Sequence, residues 1–152
     1  MECKDSIKAL GEKIGLDLEL DSASSCTFQT DGFSVTITHL VEIDRIALTG
    51  DLGDVPPQRP ENLFRLMLEA NYLFSATAGA TLSLNGDNQH FALCRVITPS
   101  LQNENWLYSE VEEFVSICEK WLEIITNFRD LPTSTDDTDS SQSHDFSSLL
   151  SV

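Results

Sequence analysis

The chain has 152 residues and 41% hydrophobic content, which is enough to build one domain with a real core. Its 9 Lys and Arg against 25 Asp and Glu give a formal net charge of −16. The protein's own field would therefore repel phosphate backbones and anionic lipid surfaces, which argues against nucleic-acid binding and against a membrane-surface role.

The ends and the cysteines give no sign of export. Residues 1–16 contain acidic side chains and no continuous apolar run, which argues against a signal peptide, and nothing later reaches membrane-spanning length. The four cysteines stand far apart with no Cys-x-x-Cys pair and no neighbouring histidines. We expect a cytosolic protein with free thiols, no metal and no membrane insertion.

The first third of the chain predicts a helix and a hairpin. Ile7, Leu10 and Ile14 stand at helical spacing, and Gly15 follows as a C-terminal cap. Residues 26–30 and 33–40 alternate apolar and polar side chains around Asp31-Gly32, the favoured pair for a two-residue turn. A third strand is predicted over residues 45–49, ending at Gly50.

A second helix is predicted from about Glu61 to Ser75, after a loop over residues 51–60 that contains three prolines. Its apolar face is wider than a helix on one side of a sheet needs. Two explanations stay open: a deeply buried central helix, or a subunit interface across a two-fold axis.

A second hairpin and a long helix follow. Residues 81–84 and 89–97 flank the turn 85–88, and Pro99 ends the return strand. The last helix begins between Asn103 and Ser109; Ser109 and Glu112 have capping-box spacing, whereas Trp106 and Leu107 fit an earlier first turn. The order helix, three antiparallel strands, helix, two strands, helix predicts an α+β fold.

The composition changes after Pro132. Residues 133–148 are mostly Ser, Thr and Asp, too polar to order themselves, so we expect a domain over residues 1–131 and a disordered tail over 132–152. The last residues carry a small apolar cluster that fits either a docking motif or random tail composition.

Motifs for catalysis are missing from the sequence. The three histidines are widely separated, no Ser is framed as Gly-x-Ser-x-Gly, and no glycine-rich loop carries a phosphate-binding Lys. The acidic run from Asp17 to Asp21 lacks the glycine of a calcium loop. We expect no enzyme, catalytic residue or cofactor, although carboxylates assembled from distant segments could still form a site.

The stretch from Leu63 to Leu84 resembles the signature of class I type III secretion chaperones of the Tir-chaperone type. In that family a leucine-rich helix ending in Ala-Asn-Leu-Leu leads into a Thr-Gly-Gly-type turn and an apolar strand. Ala70-Asn71-Tyr72-Leu73 and Thr77-Ala78-Gly79-Ala80 stand at those places here. Ala78 departs from the family's common glycine, while Gly79 still supplies a flexible position.

The resemblance implies a bacterial cytoplasmic homodimer that wraps the N-proximal, non-globular segment of one or more effectors and delivers it toward the export ATPase. A regulatory partner-switch protein on the same fold is the alternative. The candidates for the dimer interface are Leu63, Met67, Ala70, Asn71 and Phe74. The candidates for effector binding are Leu10, Ile14, Leu16, Phe28, Val35 and Ile37.

Overall fold

A five-stranded antiparallel sheet with three helices forms the part of the chain that the computed structural model describes, residues 2–100 and 103–130. The predicted α+β order is confirmed. The predicted tail lies outside the described residues. The elements are α1 (Cys3–Ile14), β1 (Ser25–Gln29), β2 (Ser34–Leu40), β3 (Arg45–Asp54), α2 (Pro60–Asn71), β4 (Thr81–Leu84), β5 (His90–Ile97) and α3 (Trp106–Arg129).

The strand order in the sheet is β1-β2-β3-β5-β4, and every neighbouring pair is antiparallel. The second hairpin joins the first three strands through β5, which pairs with β3. Strands β1 and β4 are therefore the two edges of the sheet.

One face of the sheet carries the core. Alternate residues of the central strands, such as Val35, Ile37 and Leu48, have no exposed surface, as the period of two in a half-buried strand requires. Helix α3 covers this face and buries Phe114 and Trp121. The buried apolar residues of α3 thus form its core-facing side.

Strand β3 extends to Asp54, beyond the end predicted at Gly50. Gly50 lies inside the strand. The residue is a glycine because α3 crosses closely above it, and a Cβ at this position would stand 2.5 Å from Sγ of Cys118. This glycine marks a close packing contact instead of a strand end. The predicted loop shortens accordingly to residues 55–59.

Helix α2 ends at Asn71, four residues before the predicted end at Ser75. A short 3₁₀ turn follows over Tyr72–Phe74, with Leu73 and Phe74 at φ values of 50° and 54°. Left-handed backbone is unfavourable for these side chains, and apolar periodicity cannot reveal such a break.

Helix α3 begins at Trp106, the earlier of the two predicted starts. Trp106 and Leu107 are both buried, whereas Ser109 lies inside the first turn and its hydroxyl donates to the carbonyl of Asn105 at 3.4 Å. Burial of two large side chains thus fixes the start of this helix more strongly than a capping box would.

Candidate partner-binding surfaces

The first candidate surface is a groove of about 460 Å³ between the end of α1, the edge strand β1 and the first half of α3. We call it the α1–α3 groove. It is lined by Ile14, Leu16, Phe28, Gln29, Tyr108, Val111, Glu112, Val115, Ser116 and Glu119.

The groove has an apolar interior. Phe28 and Val111 are almost fully buried, and Ile14 and Val115 are half-buried. Leu16, in contrast, is 44% exposed. A cleft with apolar walls and one exposed leucine is suited to receive an apolar side chain from a partner.

The position of Leu16 depends on a glycine in α1. The chain after α1 turns back at Gly15, whose φ of 77° caps the helix, and Leu16 then passes directly over Gly11. A Cβ on Gly11 would lie 2.5 Å from the carbonyl oxygen of Leu16. Gly11 therefore allows the backbone approach that places Leu16 at the groove.

The rim of the groove is acidic. Glu112 and Glu119 project from α3 as exposed carboxylates. They outnumber the cation of Lys13, whose Nζ lies 4.2 Å from the ring centre of Tyr108. The overall charge of −16 reinforces the local field. This arrangement favours a partner segment that flanks its apolar anchors with Lys or Arg, mainly through steering.

The edge strand β1 adds backbone groups beside the groove. The backbone N–H and C=O of Ser25 point away from β2 and form hydrogen bonds with Asp21, at 3.0 and 2.8 Å. From this residue onward, every second residue of β1 points its backbone groups away from β2. By that alternation the backbone N–H and C=O of Thr27 and Gln29 also point outward. No hydrogen bond within the described ranges uses these backbone groups, so they can pair with an added strand.

The second candidate surface is a set of exposed apolar side chains at the end of α2 and on the edge strand β4. We call it the α2–β4 patch. Leu68, Tyr72 and Leu73 are 71%, 73% and 78% exposed, respectively. Its members are Leu68, Tyr72, Leu73, Phe74 and Leu84.

The backbone beneath this patch is both strained and held in place. Leu73 and Phe74 adopt left-handed conformations, which cost about 1–3 kcal/mol each for ordinary residues. Nε1–H of Trp121 donates to the carbonyl of Ala76 at 3.0 Å and ties the segment to α3. A strained backbone that is held in place by surrounding contacts and bears exposed apolar side chains is typical of a functional surface.

Asn71 fastens the patch to the sheet. Its side-chain amide donates to the carbonyl of Leu82 at 3.1 Å, and its oxygen accepts from the Leu82 N–H at 2.9 Å. Both groups lie on the outer edge of β4, so Asn71 satisfies them within the protomer. Strand addition is blocked at this point of β4, unlike at β1.

The predicted effector-binding residues divide into two groups. Ile14, Leu16 and Phe28 come together in the α1–α3 groove. Leu10, Val35 and Ile37 are buried in the protomer core, where no partner can contact their side chains.

The predicted dimer residues divide in the same way. Leu63, Met67 and Ala70 are buried by the protomer itself, which accounts for the wide apolar face of α2 without a second subunit. Asn71 binds β4, and Phe74 is 53% exposed. Of the five predicted dimer residues, Phe74 alone belongs to the α2–β4 patch.

The α3 wall of the groove was not predicted. Tyr108, Val111 and Val115 follow one another at helical spacing, and that spacing is readable from the sequence. Helical spacing alone cannot show that these residues lie beside Leu16, because that proximity depends on contacts between distant parts of the chain.

Two of the cysteine thiols have strongly raised pKa values. None of the cysteines forms a disulfide, and burial raises the pKa of Cys118 to about 12 and that of Cys3 to about 11. Thiols with such pKa values stay protonated at neutral pH and react poorly. The described residues also hold no cluster of His, Cys, Asp and Glu fit for a metal ion. Within the same ranges, no helix is long and apolar enough to cross a membrane.

Comparison with protein families resolves the class of the chain. The model of the Tir chaperone protein (CesT) family matches residues 5–122, which include both surfaces. The chain belongs to the Tir chaperone protein (CesT) family. The assignment to type III secretion chaperones, predicted from residues 63–84, is thereby confirmed. A search of curated proteins finds no significant match.

Solved structures share the fold of this family member. A chain of the ExsC–ExsE complex is 17% identical with a TM-score of 0.68, covering 82% of this chain and 97% of that one. A chain of the HopA1–SchA chaperone–effector complex is 15% identical with a TM-score of 0.63, covering 82% and 92%. A chain of the ExoU–SpcU complex from Pseudomonas aeruginosa is 15% identical with a TM-score of 0.59, covering 83% and 96%.

Proposed function

We propose that this chaperone binds the N-proximal, non-globular segment of one or more secreted effectors in the α1–α3 groove, in the bacterial cytoplasm. The observation that carries the proposal is the open, apolar, acid-rimmed groove beside an edge strand with unused backbone groups. Membership of the Tir chaperone family supports the class of partner.

The mode of binding follows from the two parts of the site. An extended effector segment pairs with β1 through the outward groups of Thr27 and Gln29, and an apolar side chain enters between Leu16 and Val115. Strand addition supplies affinity without requiring a globular partner, and the pocket supplies selectivity. The effector stays unfolded enough for export, and no covalent chemistry is required of the chaperone.

Two protomers pair through the α2–β4 patch. The patch exposes large apolar side chains on a backbone held in a strained form, and burying them in a symmetric contact would offset the cost of that strain. The exposed residues Leu68, Tyr72, Leu73 and Phe74 replace Leu63, Met67 and Ala70 as the proposed contacts. A homodimer would present two grooves to one effector and hand the complex to the export ATPase.

Leu16→Asp tests the groove, because Leu16 is already exposed and the change leaves the core intact. Purification of tagged chaperone from its own cell should recover one or more secreted effectors with the unchanged chain and much less with Leu16→Asp. The matched control is Ile43→Asp, a change at an exposed apolar residue outside both surfaces.

Equal recovery with Leu16→Asp and Ile43→Asp would place the effector elsewhere on the chaperone. Recovery of a transcription regulator alone, with no secreted protein, would favour the partner-switch alternative on the same fold. Circular dichroism of each variant checks that the fold is intact.

A further inference from the structure

The far end of the sequence has apolar side chains of the kind that the interior of the α1–α3 groove accepts. Residues 146–152 contain Phe146, Leu149, Leu150 and Val152 and no charged side chain. The four aspartates of the tail all precede this segment, within residues 136–145. Both stretches lie outside the described residues, so their chemistry is taken from the sequence.

The length of chain available is sufficient to reach the groove. The groove residues of α3 run from Tyr108 to Glu119, and Asp130 directly follows the helix. At 1.5 Å per residue, Val111 lies about 29 Å along the helix from Asp130. The residues between Asp130 and Phe146 can span up to about 53 Å when extended.

We propose that residues 146–152 of the same chain occupy the α1–α3 groove when no effector is bound. The proposal rests on the proposed function in one respect: if effectors use this groove, the segment competes with them. An occupied fraction of about 70–90% would weaken effector binding about threefold to tenfold. Docking of the segment would also cover Leu16, which is 44% exposed.

Charge sets the salt dependence of this contact. The tail aspartates approach a rim formed by Glu112 and Glu119, so added salt should screen repulsion and strengthen docking. A basic effector segment would show the opposite dependence. The sign of the salt effect therefore identifies which occupant fills the groove.

The test compares the full chain with the double variant Leu149→Ser, Leu150→Ser by ¹H–¹⁵N NMR in the absence of effector. We expect the amides of Gln29, Leu16 and Val115 to shift in the double variant, and those near Leu73 to stay. A synthetic peptide of residues 135–152, which carries all four tail aspartates, should move the same groove amides back when added to the double variant, more strongly at about 300 mM than at about 20 mM salt.

Ser147→Ala with Ser148→Ala is the matched control, since it keeps the apolar residues of the segment and should leave the groove amides unchanged. Identical groove amides in the full chain and the leucine double variant would overturn the proposal, as would peptide-induced shifts confined to other surfaces. No effector enters this experiment, so docking can fail while effector binding at the groove holds, and the reverse.

Discussion

The α1–α3 groove and the α2–β4 patch are both apolar, but the protein builds them in different ways. The groove is a cleft between three elements, with half-buried walls and a single strongly exposed leucine, Leu16. The patch projects from the surface, and its side chains are mostly more than half exposed. The groove is therefore suited to a segment that enters it, and the patch to a broad, flat partner.

Their edges differ as well. At β4 the side chain of Asn71 satisfies the outward backbone groups of Leu82, whereas at β1 those of Thr27 and Gln29 remain available. An extended chain can thus add to one edge of the sheet and is hindered at the other. The groove side is therefore suited to strand pairing, and the patch side to side-chain packing.

The largest expected effect comes from Trp121, because its ring is in the core and its N–H holds the segment beneath the patch. Trp121→Ala should lower the free energy of unfolding by about 3–5 kcal/mol. Trp121→Phe, which loses the hydrogen bond to Ala76 but keeps an aromatic ring, should cost about 1–2 kcal/mol. Urea denaturation measures both values; a loss near zero for Trp121→Phe would show that the hydrogen bond to Ala76 matters little.

Leu73→Asp should break the patch without breaking the fold, since Leu73 is 78% exposed. A charge at the centre of an apolar contact should weaken dimerisation about 30-fold or more, as light scattering over a concentration series would measure. Ile43→Asp is the control and should leave the mass unchanged. Unaltered dimerisation of Leu73→Asp would move the interface away from the patch.

Met67→Glu is a poorer test of the dimer because Met67 is 5% exposed, so its main effect would be on folding.

Gly11→Ala should disturb the groove and leave the patch unchanged, with a smaller effect than the two preceding variants. The added methyl group would meet the carbonyl of Leu16, and relieving that clash should cost about 1–2 kcal/mol despite the better helix propensity of Ala. Effector recovery should fall while the dimer mass stays the same. Gly86→Ala is the control, since a Cβ there meets nothing within 4 Å and should leave both properties unchanged.

Local patterns in the sequence predicted much of the fold. The hairpin at Asp31-Gly32 and the cap at Gly15 depend on neighbouring residues, and both are present. Gly50 was misread as a strand end because its reason for being glycine, the approach of Cys118, comes from a distant helix. The end of α2 was placed too late because a left-handed residue such as Leu73 leaves no periodic signal.

The candidate surfaces were predicted less completely, for a related reason. Helical spacing identifies the apolar residues of α2 but not what covers them, so the buried Leu63 was proposed for a contact and the exposed Leu68 was left out. In the same way, Leu16 and Phe28 were predicted for effector binding without the α3 residues that lie beside them in the groove, such as Val115. Which apolar residues remain exposed is decided by packing between elements far apart in sequence.

The smallest expected effect is that of pH on the stability of the fold, through a histidine away from both surfaces. His90 lies in neither; its Nδ1 is 2.9 Å from a carboxylate oxygen of Asp51, and its Nε2 is 2.8 Å from one of Asp54. The hydrogen bond to Asp51, together with the charges of both carboxylates, raises the pKa of His90 above its ordinary value of 6.5 despite partial burial.

A raised folded-state pKa means that the protonated imidazole stabilises the folded protein below pH 6.5, and that this contribution is lost as pH rises through the higher pKa. Between about pH 6 and pH 8 the unchanged protein should therefore lose slightly more in Tm than His90→Gln does. Effector recovery and dimer mass should not follow that change, because the pair joins β3 to β5 and lines neither surface. A parallel loss of effector binding over the same pH range would mean that the His90 pair also controls the groove.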